Sequence, residues 1–200
     1  MAAISANLEV RDAILDATDR LLARYGYSKM TVEDIAREVG IGKGSVYLHF
    51  ASKEEIVLSR VDRIVERLKE RLRAVAASDA DAGIRLRLML LARVLYRFDS
   101  VQHYAQSLND LLAALRPGLL ARRARYFDEE AQIFAGVLNE GRDSGEFQFA
   151  DALTTAYALL HATNSLLPYS LSTAELGERE EVKERTTQIA DLILHGLLKK

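Results

Sequence analysis

The sequence predicts an all-α protein, and two observations support this prediction. Apolar residues recur three and four positions apart along most of the 200 residues, a spacing that places them on one face of an α-helix. No segment shows the alternation of apolar and polar residues that is typical of a half-buried strand. Only two prolines interrupt the chain, which also favours helices. The apolar pattern divides into about nine of them. A length of 200 residues allows one or two domains.

The composition excludes several kinds of protein. The chain has no cysteine, so it has neither a disulfide framework nor a zinc–thiolate site. Residues 1–7 lack the basic and apolar regions of a signal peptide, and no apolar run reaches the roughly 18 residues of a membrane span. We therefore expect a soluble, cytoplasmic protein without cofactors or bound metal.

Periodicity predicts helices along the whole chain. The first spans about residues 7–25 and is closed by Gly26. Two short helices follow at about 32–39 and 43–50, and a fourth spans about 53–77. The remaining five are expected at about 84–98, 101–115, 118–140, 151–168 and 175–198.

Special residues and charges complete this prediction. Pro117 is expected to open the helix at 118–140, and Gly141 and Gly145 are expected to end it. The acidic residues of the first helix and the acidic run at 128–130 are interpreted as solvated surface.

The most informative stretch is the pair of short helices. Thr31 is a favoured N-cap residue, and Asp34 stands three positions later, as in a capping box. Gly40 can adopt the left-handed conformation that ends a helix. In the second helix Val46 and Phe50, four apart, are expected to face inward. Two short helices around a glycine turn have the layout of a helix-turn-helix, whose second helix enters the major groove of DNA.

The residues around this pair also resemble a known family. The pattern Thr31-Val-x-x-Ile-Ala-x-x-Val-Gly-Ile-x-Lys-Gly-Ser-Val-Tyr-x-His-Phe-x-Ser-Lys-Glu-Glu is similar to the DNA-binding domain of the TetR (tetracycline-repressor) family of bacterial regulators. The resemblance extends back through Tyr25-Gly26-Tyr27 and covers roughly the first 60 residues. It implies an N-terminal three-helix DNA-binding domain at residues 1–52, followed by a C-terminal helical domain at residues 53–200 that binds a ligand and dimerises.

The motif and the resemblance together assign DNA contact to seven residues: Thr31, Lys43, Gly44, Ser45, Tyr47, His49 and Lys53. Lys43 and Ser45 have side chains that donate to base edges or phosphates, and Gly44 lets the backbone approach the groove. The other four suit phosphate oxygens. A net charge of −2 does not oppose this interpretation, because residues 40–53 hold cations and no acid.

The resemblance also implies a homodimer in which the last two helices pair with their symmetry mates. The alternative is that these helices pack only within one chain. A single helix-turn-helix reads few bases, so two-fold repetition is also physically expected. The residues expected at the interface are Leu153, Ala156, Leu160, Thr163, Leu167, Ile189, Leu192, Ile193 and Gly196.

A pocket for a hydrophobic or amphipathic effector is expected among the central helices. Its candidate residues are Tyr96, His103, Tyr104, Tyr126, Phe127, Tyr157, His161 and Asn164. Each belongs to a residue type that also packs in cores. His161 and Asn164 are the stronger candidates, since polar groups in an apolar helix need partners.

These observations predict a homodimeric transcription regulator, most simply a repressor that a small molecule releases from a palindromic operator. The alternative is a DNA-binding protein of the same fold with no effector. An enzyme is disfavoured, because the chain has no Glu-x-x-His pair, no cysteine nucleophile and no histidines spaced for a metal. Residues 40–45 resemble a nucleotide-binding loop only in composition, since Gly44 stands where that loop needs Ser or Thr.

Overall fold

The computed structural model describes residues 2–102, 108–168 and 177–197, and these ranges contain helices and no β-strand. The predicted all-α class is therefore confirmed. The helices are α1 (Ala2–Lys29), α2 (Val32–Val39), α3 (Lys43–His49), α4 (Lys53–Ala76), α5 (Ala82–Val101), α6 (Leu108–Asp143), α7 (Ala152–Ala162) and α8 (Arg179–Leu197). A short 3-10 helix, Asn164–Leu166, follows α7. None of the described helices is both long and apolar enough to span a bilayer.

The chain divides into two compact units. One contains residues 1–63 and 103–119, and the other contains residues 64–102 and 120–200. Both α4 and α6 contribute residues to each unit. The functional boundary predicted after residue 52 stays a prediction.

The first unit has an apolar core to which α1–α4 all contribute. Its fully buried residues include Ile14 of α1, Ile35 of α2, Val46 of α3 and Val57 of α4. In α1, Gly26 has a φ of 70° and interrupts the helix where the sequence predicts its end, although a last turn continues to Lys29. The helix also begins earlier than predicted, at Ala2.

Ion pairs hold the start of α4 against α1. Arg63 lies 2.8 Å from Asp16, 3.2 Å from Asp19 and 3.7 Å from Asp12, and Arg60 also pairs with Asp19. Asp12 and Asp16 are exposed, as expected for a solvated surface, and the three acids also carry ion pairs that the sequence interpretation did not predict. Their carboxylates face two arginines that are themselves largely buried.

The second unit has its own apolar core, which α4–α8 build together. Its fully buried members include Leu68, Leu72, Leu86, Met89, Leu90, Phe134, Leu138, Leu159, Leu160 and Ala190. Within this unit α5 and α8 pack along each other. Not every apolar residue of these two helices joins this core, since Ile84, Leu88 and Leu192 are exposed.

The two helices predicted on either side of Pro117 are a single element, α6, with the proline inside it. A proline within a helix removes one hydrogen bond and crowds the preceding turn, at a cost of about 3 kcal/mol. Burial of Leu111 and Leu115 before the proline, and of Phe127 and Phe134 after it, offsets this cost. The expectation of a fresh helix start at this position is wrong.

Gly141 does not end α6, which continues to Asp143. A Cβ atom at this position would collide with the ring of Phe147 and lie 2.9 Å from the Cβ of Ala82. The glycine is therefore needed for close packing rather than for helix termination. The chain turns two residues after the helix at Gly145, the other glycine expected to end it, which has a φ of 81°.

A charged group lies inside the second unit. Glu130 and Arg93 are both 0% exposed, and the Arg93 Nε donates to a Glu130 carboxylate oxygen at 2.8 Å. Arg97 pairs with the same carboxylate, and Arg93 also donates to the hydroxyl of Thr163 at 3.0 Å. Burial by itself would raise the pKa of Glu130, but the fields of Arg97 and Arg93 outweigh it and hold the pKa low. The interpretation of the run 128–130 as solvated surface is wrong for Glu130.

Candidate nucleic-acid interface

The capping box predicted at the start of α2 is present. The Thr31 hydroxyl oxygen accepts from the backbone N–H of Asp34 at 3.1 Å, and the Asp34 carboxylate accepts from the backbone N–H of Thr31 at 3.0 Å. The Thr31 hydroxyl also donates to this carboxylate at 2.7 Å, and these hydrogen bonds lower the pKa of Asp34. The backbone N–H and the hydroxyl of Thr31, the two groups that could donate to a phosphate, are therefore both engaged with Asp34.

The turn between α2 and α3 has the predicted geometry. Gly40 is in the left-handed conformation, with φ 79° and ψ 29°. The N–H of Ile41 donates to the carbonyl of Ala36 at 3.0 Å, which satisfies a carbonyl of the last turn. Gly42 then caps α3 in an extended conformation.

The two residues of α3 that were predicted to face inward do so. Val46 and Phe50 are buried, whereas Lys43, Gly44 and Tyr47 are exposed. Ser45 and His49 are partly exposed, and the His49 ring lies 6.5 Å from the Phe50 ring. The structure thus brings five predicted contact residues together on one seven-residue helix.

Leu48 is a feature of α3 that the sequence interpretation missed. Its side chain is 85% exposed, although it is one of the larger apolar residues of the chain. The interpretation selected hydrogen-bonding residues and so passed over it. Helical spacing could have revealed its exposure. Leu48 stands two positions from both Val46 and Phe50, so it cannot lie on the buried face that they share.

Lys43 forms an ion pair with Glu33 of α2. The hydrogen bond between them raises the pKa of Lys43 and lowers the pKa of Glu33, so both groups are charged at neutral pH. The ammonium also lies 6.0 Å from the centre of the Tyr47 ring. A phosphate that binds Lys43 would have to compete with an acid from the neighbouring helix.

Lys53 is turned towards the end of α1. Its ammonium donates to the carbonyls of Tyr27 at 2.9 Å and Met30 at 3.1 Å, and it lies 4.3 Å from the centre of the Tyr27 ring. Partial burial lowers the pKa of Lys53. This cation stabilises the turn before α2 through those carbonyls, and its phosphate contact stays a prediction.

The effector candidates have varied surroundings. Tyr126 and Phe127 are buried in the second unit, whereas His161 is exposed, with its ring 5.3 Å from that of Phe127. The Tyr157 hydroxyl donates to Asp128 at 2.6 Å, which raises the pKa of the tyrosine. Asn164 begins the 3-10 helix. His103 and Tyr104 lie outside the described residues.

Tyr96 lines a surface groove with a volume of about 570 Å³. The other lining residues are Arg67, Glu70, Arg71 and Ala74 of α4, and the Arg71 guanidinium lies 4.4 Å from the centre of the Tyr96 ring. None of these four was predicted from the sequence. Over the described ranges, no cluster of three or more His, Asp or Glu side chains is arranged to hold a metal ion.

The interface candidates divide into two groups. Ala156, Leu160, Thr163 and Leu167 are buried within the chain itself, and their place at an interface stays a prediction. Leu192 and Gly196 of α8 are exposed, and Leu153, Ile189 and Ile193 are partly exposed. The side chains of the second group are the ones accessible on the described surface.

Comparison with known proteins agrees with this geometry. A family model described as "Bacterial regulatory proteins, tetR family" matches residues 14–59. The HTH-type transcriptional repressor KstR2 of Rhodococcus jostii is 30% identical over 158 residues, which cover 76% of this chain and 75% of that protein. The HTH-type transcriptional regulator EthR of Mycobacterium tuberculosis is 24% identical, over 92% of this chain and 82% of its own length.

The fold is also found among solved structures. A transcriptional regulator from Cytophaga hutchinsonii superposes with a TM-score of 0.79 at 22% identity, over 94% of this chain and 98% of that one. Such a likeness shows a shared fold, and the relatives are named for regulating transcription rather than for catalysis. The chain therefore belongs to the TetR family of bacterial regulatory proteins and is a DNA-binding transcriptional regulator rather than an enzyme.

Proposed function

We propose that this chain is a homodimeric repressor whose two α3 helices bind the two halves of a near-palindromic operator. The observation that carries this proposal is the exposed face of α3, which presents Lys43, Gly44, Ser45 and Tyr47 above the buried Val46. A helix held in this way by a bracing helix and a glycine turn can enter the major groove. The relative that shares 30% of its residues is named a transcriptional repressor, which supports the sign of regulation.

Within the proposed complex the contacts have different tasks. Lys43, Tyr47 and His49 stand on the flanks of α3 and would bind phosphates, which fixes the position of the helix. Ser45 would donate to a base edge, and the backbone at Gly44 would approach the groove closely. We retain phosphate contact for Thr31 and Lys53 as weaker proposals, since their donors are engaged within the protein.

The proposed dimer would form through the exposed faces of α7 and α8. Leu192 is exposed and apolar, and Gly196, four positions later, would allow a partner helix to approach closely. Two copies of α3 at a fixed separation would then match half-sites one helical turn of DNA apart, about 34–36 Å.

We further propose that a small hydrophobic or amphipathic effector binds the second unit and releases the operator through α4. The first turns of α4 are held to α1 by Lys53 and Arg63, and its later residues belong to the second unit. A ligand that moves α4 would thus reposition α3. Such coupling is reciprocal, with a typical magnitude of about 1–3 kcal/mol.

One observation favours the alternative without an effector. Tyr126 and Phe127 are buried in the core and Tyr157 is bonded to Asp128, so these candidates already have protein partners. A thermal-shift screen with amphipathic acids, steroids and aromatic compounds separates the two proposals. A ligand that raises the melting temperature and weakens operator binding supports the effector, whereas ligands without either effect support the alternative.

The central proposal is tested by selecting duplexes from a random library with the full-length protein and footprinting the enriched sequence. We expect a protected site with two-fold symmetry and a solution mass of two chains. A monomer that shows no preference for any duplex over random competitor would refute the proposal.

A further inference from the structure

Leu48 is the one large aliphatic side chain on the exposed side of α3. It has no donor or acceptor and so cannot form a hydrogen bond to DNA. At 85% exposed, it is more accessible than the other exposed large hydrophobic residues of the described chain. Single exposed leucines are common on protein surfaces, so exposure alone decides nothing. Its position on the helix is what distinguishes it.

Leu48 lies at the outermost line of α3. At about 100° per residue, Gly44 and Leu48 stand about 160° and 200° around the helix axis from Val46. Val46 is fully buried, so these two positions point directly away from the protein core. On the same scale Tyr47 and Ser45 flank this line, at about 100° and 260°, and Lys43 and His49 lie nearer the buried side.

Gly44 leaves the approach to Leu48 open. Apart from its chain neighbours and the adjacent backbone of α3, nothing lies within 4 Å of the place that a Cβ of residue 44 would occupy. Helical side chains lean towards the preceding turn, so Leu48 extends over this bare segment of backbone. A base edge that approaches α3 would therefore meet the leucine side chain before the polar groups on either flank.

The chemistry of leucine selects its target in the groove. Base pairs present hydrogen-bond donors, hydrogen-bond acceptors and a single apolar group, the C5-methyl of thymine. An isobutyl side chain can contact that methyl favourably and cannot satisfy a donor or an acceptor. We propose, on the basis of the proposed function, that Leu48 recognises the methyl group of one thymine in each half of the operator.

The experiment replaces thymine by deoxyuridine, which removes only the methyl. The probe is the duplex that the wild-type protein selects from a random library, with each thymine pair of the two half-sites replaced in turn. At one symmetric position the wild-type affinity should fall by about fourfold for each methyl, and thus about fifteenfold for both. The Leu48→Ala variant should bind the original duplex more weakly and should be insensitive to deoxyuridine at that position.

A matched control is Ile84→Ala, since Ile84 is a 51% exposed aliphatic residue on α5. This variant should keep the full response to deoxyuridine. The inference is overturned if no thymine position responds, or if Leu48→Ala responds as the wild type does. Selection that enriches no duplex at all would instead refute the proposed function, and this inference with it.

Discussion

Replacing Lys43 by Gln should lower the salt dependence of operator binding. Each phosphate that a cation neutralises contributes about 0.9 to the slope of log K against log salt concentration. A homodimer loses two such contacts, so the slope should fall by about 1.8. Between 50 and 200 mM salt, the affinity difference between variant and wild type should then shrink by about tenfold.

Replacing Glu33 by Gln should strengthen DNA binding at low salt, whereas replacing Lys43 should weaken it. Glu33 holds the ammonium of Lys43 and carries a negative charge beside the proposed DNA surface. Without that charge Lys43 is available to phosphates, so affinity for random duplex should rise at low salt. The two variants therefore test the same ion pair from both sides.

Fluorescence anisotropy of a labelled duplex over this salt range provides the measurement. The matched control is Lys183→Gln on α8, because Lys183 is 49% exposed and paired with Glu180 at 2.8 Å, whereas Lys43 is 48% exposed in its own pair. The control should leave the slope unchanged. Equal slopes for Lys43→Gln and wild type would refute a phosphate contact at Lys43.

Three further changes test the rest of the structure. Lys53→Met should lower the free energy of unfolding by about 1–2 kcal/mol, because two carbonyls lose a charged donor; urea denaturation measures this. Glu130→Gln should lower it by about 3–5 kcal/mol, since two largely buried arginines lose their carboxylate. Because Arg97 and Arg93 lower the pKa of Glu130, its contribution is present above the ordinary glutamate value of 4.5 and is lost as pH falls below it. Gly141→Ala should destabilise by about 1–3 kcal/mol through collision with Phe147, in the same assay.

Each of these three has a control or a contrary outcome. An unchanged salt slope in Lys53→Met would remove Lys53 from the DNA contacts, whatever its effect on stability. The control for Glu130→Gln is Glu180→Gln, which breaks an exposed ion pair and should change the free energy of unfolding little. On α6, Gly136→Ala meets no neighbouring atom and should stabilise by up to about 1 kcal/mol. If Gly136→Ala and Gly141→Ala had the same effect, close packing would not explain Gly141.

The helix-turn-helix was predictable because its signals are local. Thr31, Asp34 and Gly40 determine where α2 begins and ends through contacts within ten residues. Caps and left-handed glycines act in the same way wherever the rest of the chain lies. The bounds of α2 and α3 therefore agree with the sequence prediction almost residue for residue.

The course of α6 was not predictable in this way. Whether a helix continues through Pro117 depends on whether tertiary burial exceeds a local penalty, and that burial involves residues far along the chain. Glu130 presents the same difficulty, since its partner Arg93 lies 37 residues away. A partial signal existed, because Glu130 stands three positions after Phe127 and four before Phe134, on their buried face.

The proposed DNA surface shows why side-chain chemistry and helix geometry must be combined. Thr31 and Lys53 were selected for their hydrogen-bonding groups, and those groups bind other parts of the protein. Lys43 is likewise held by an acid. Geometry instead places Gly44 and Leu48 farthest from the core, and neither has a polar side chain. Polar residues at the flanks can hold a helix on the phosphates, but the positions that enter the groove deepest meet the base edges. For this regulator, sequence preference should then depend on close backbone approach and an apolar contact, and the flanking cations should determine affinity.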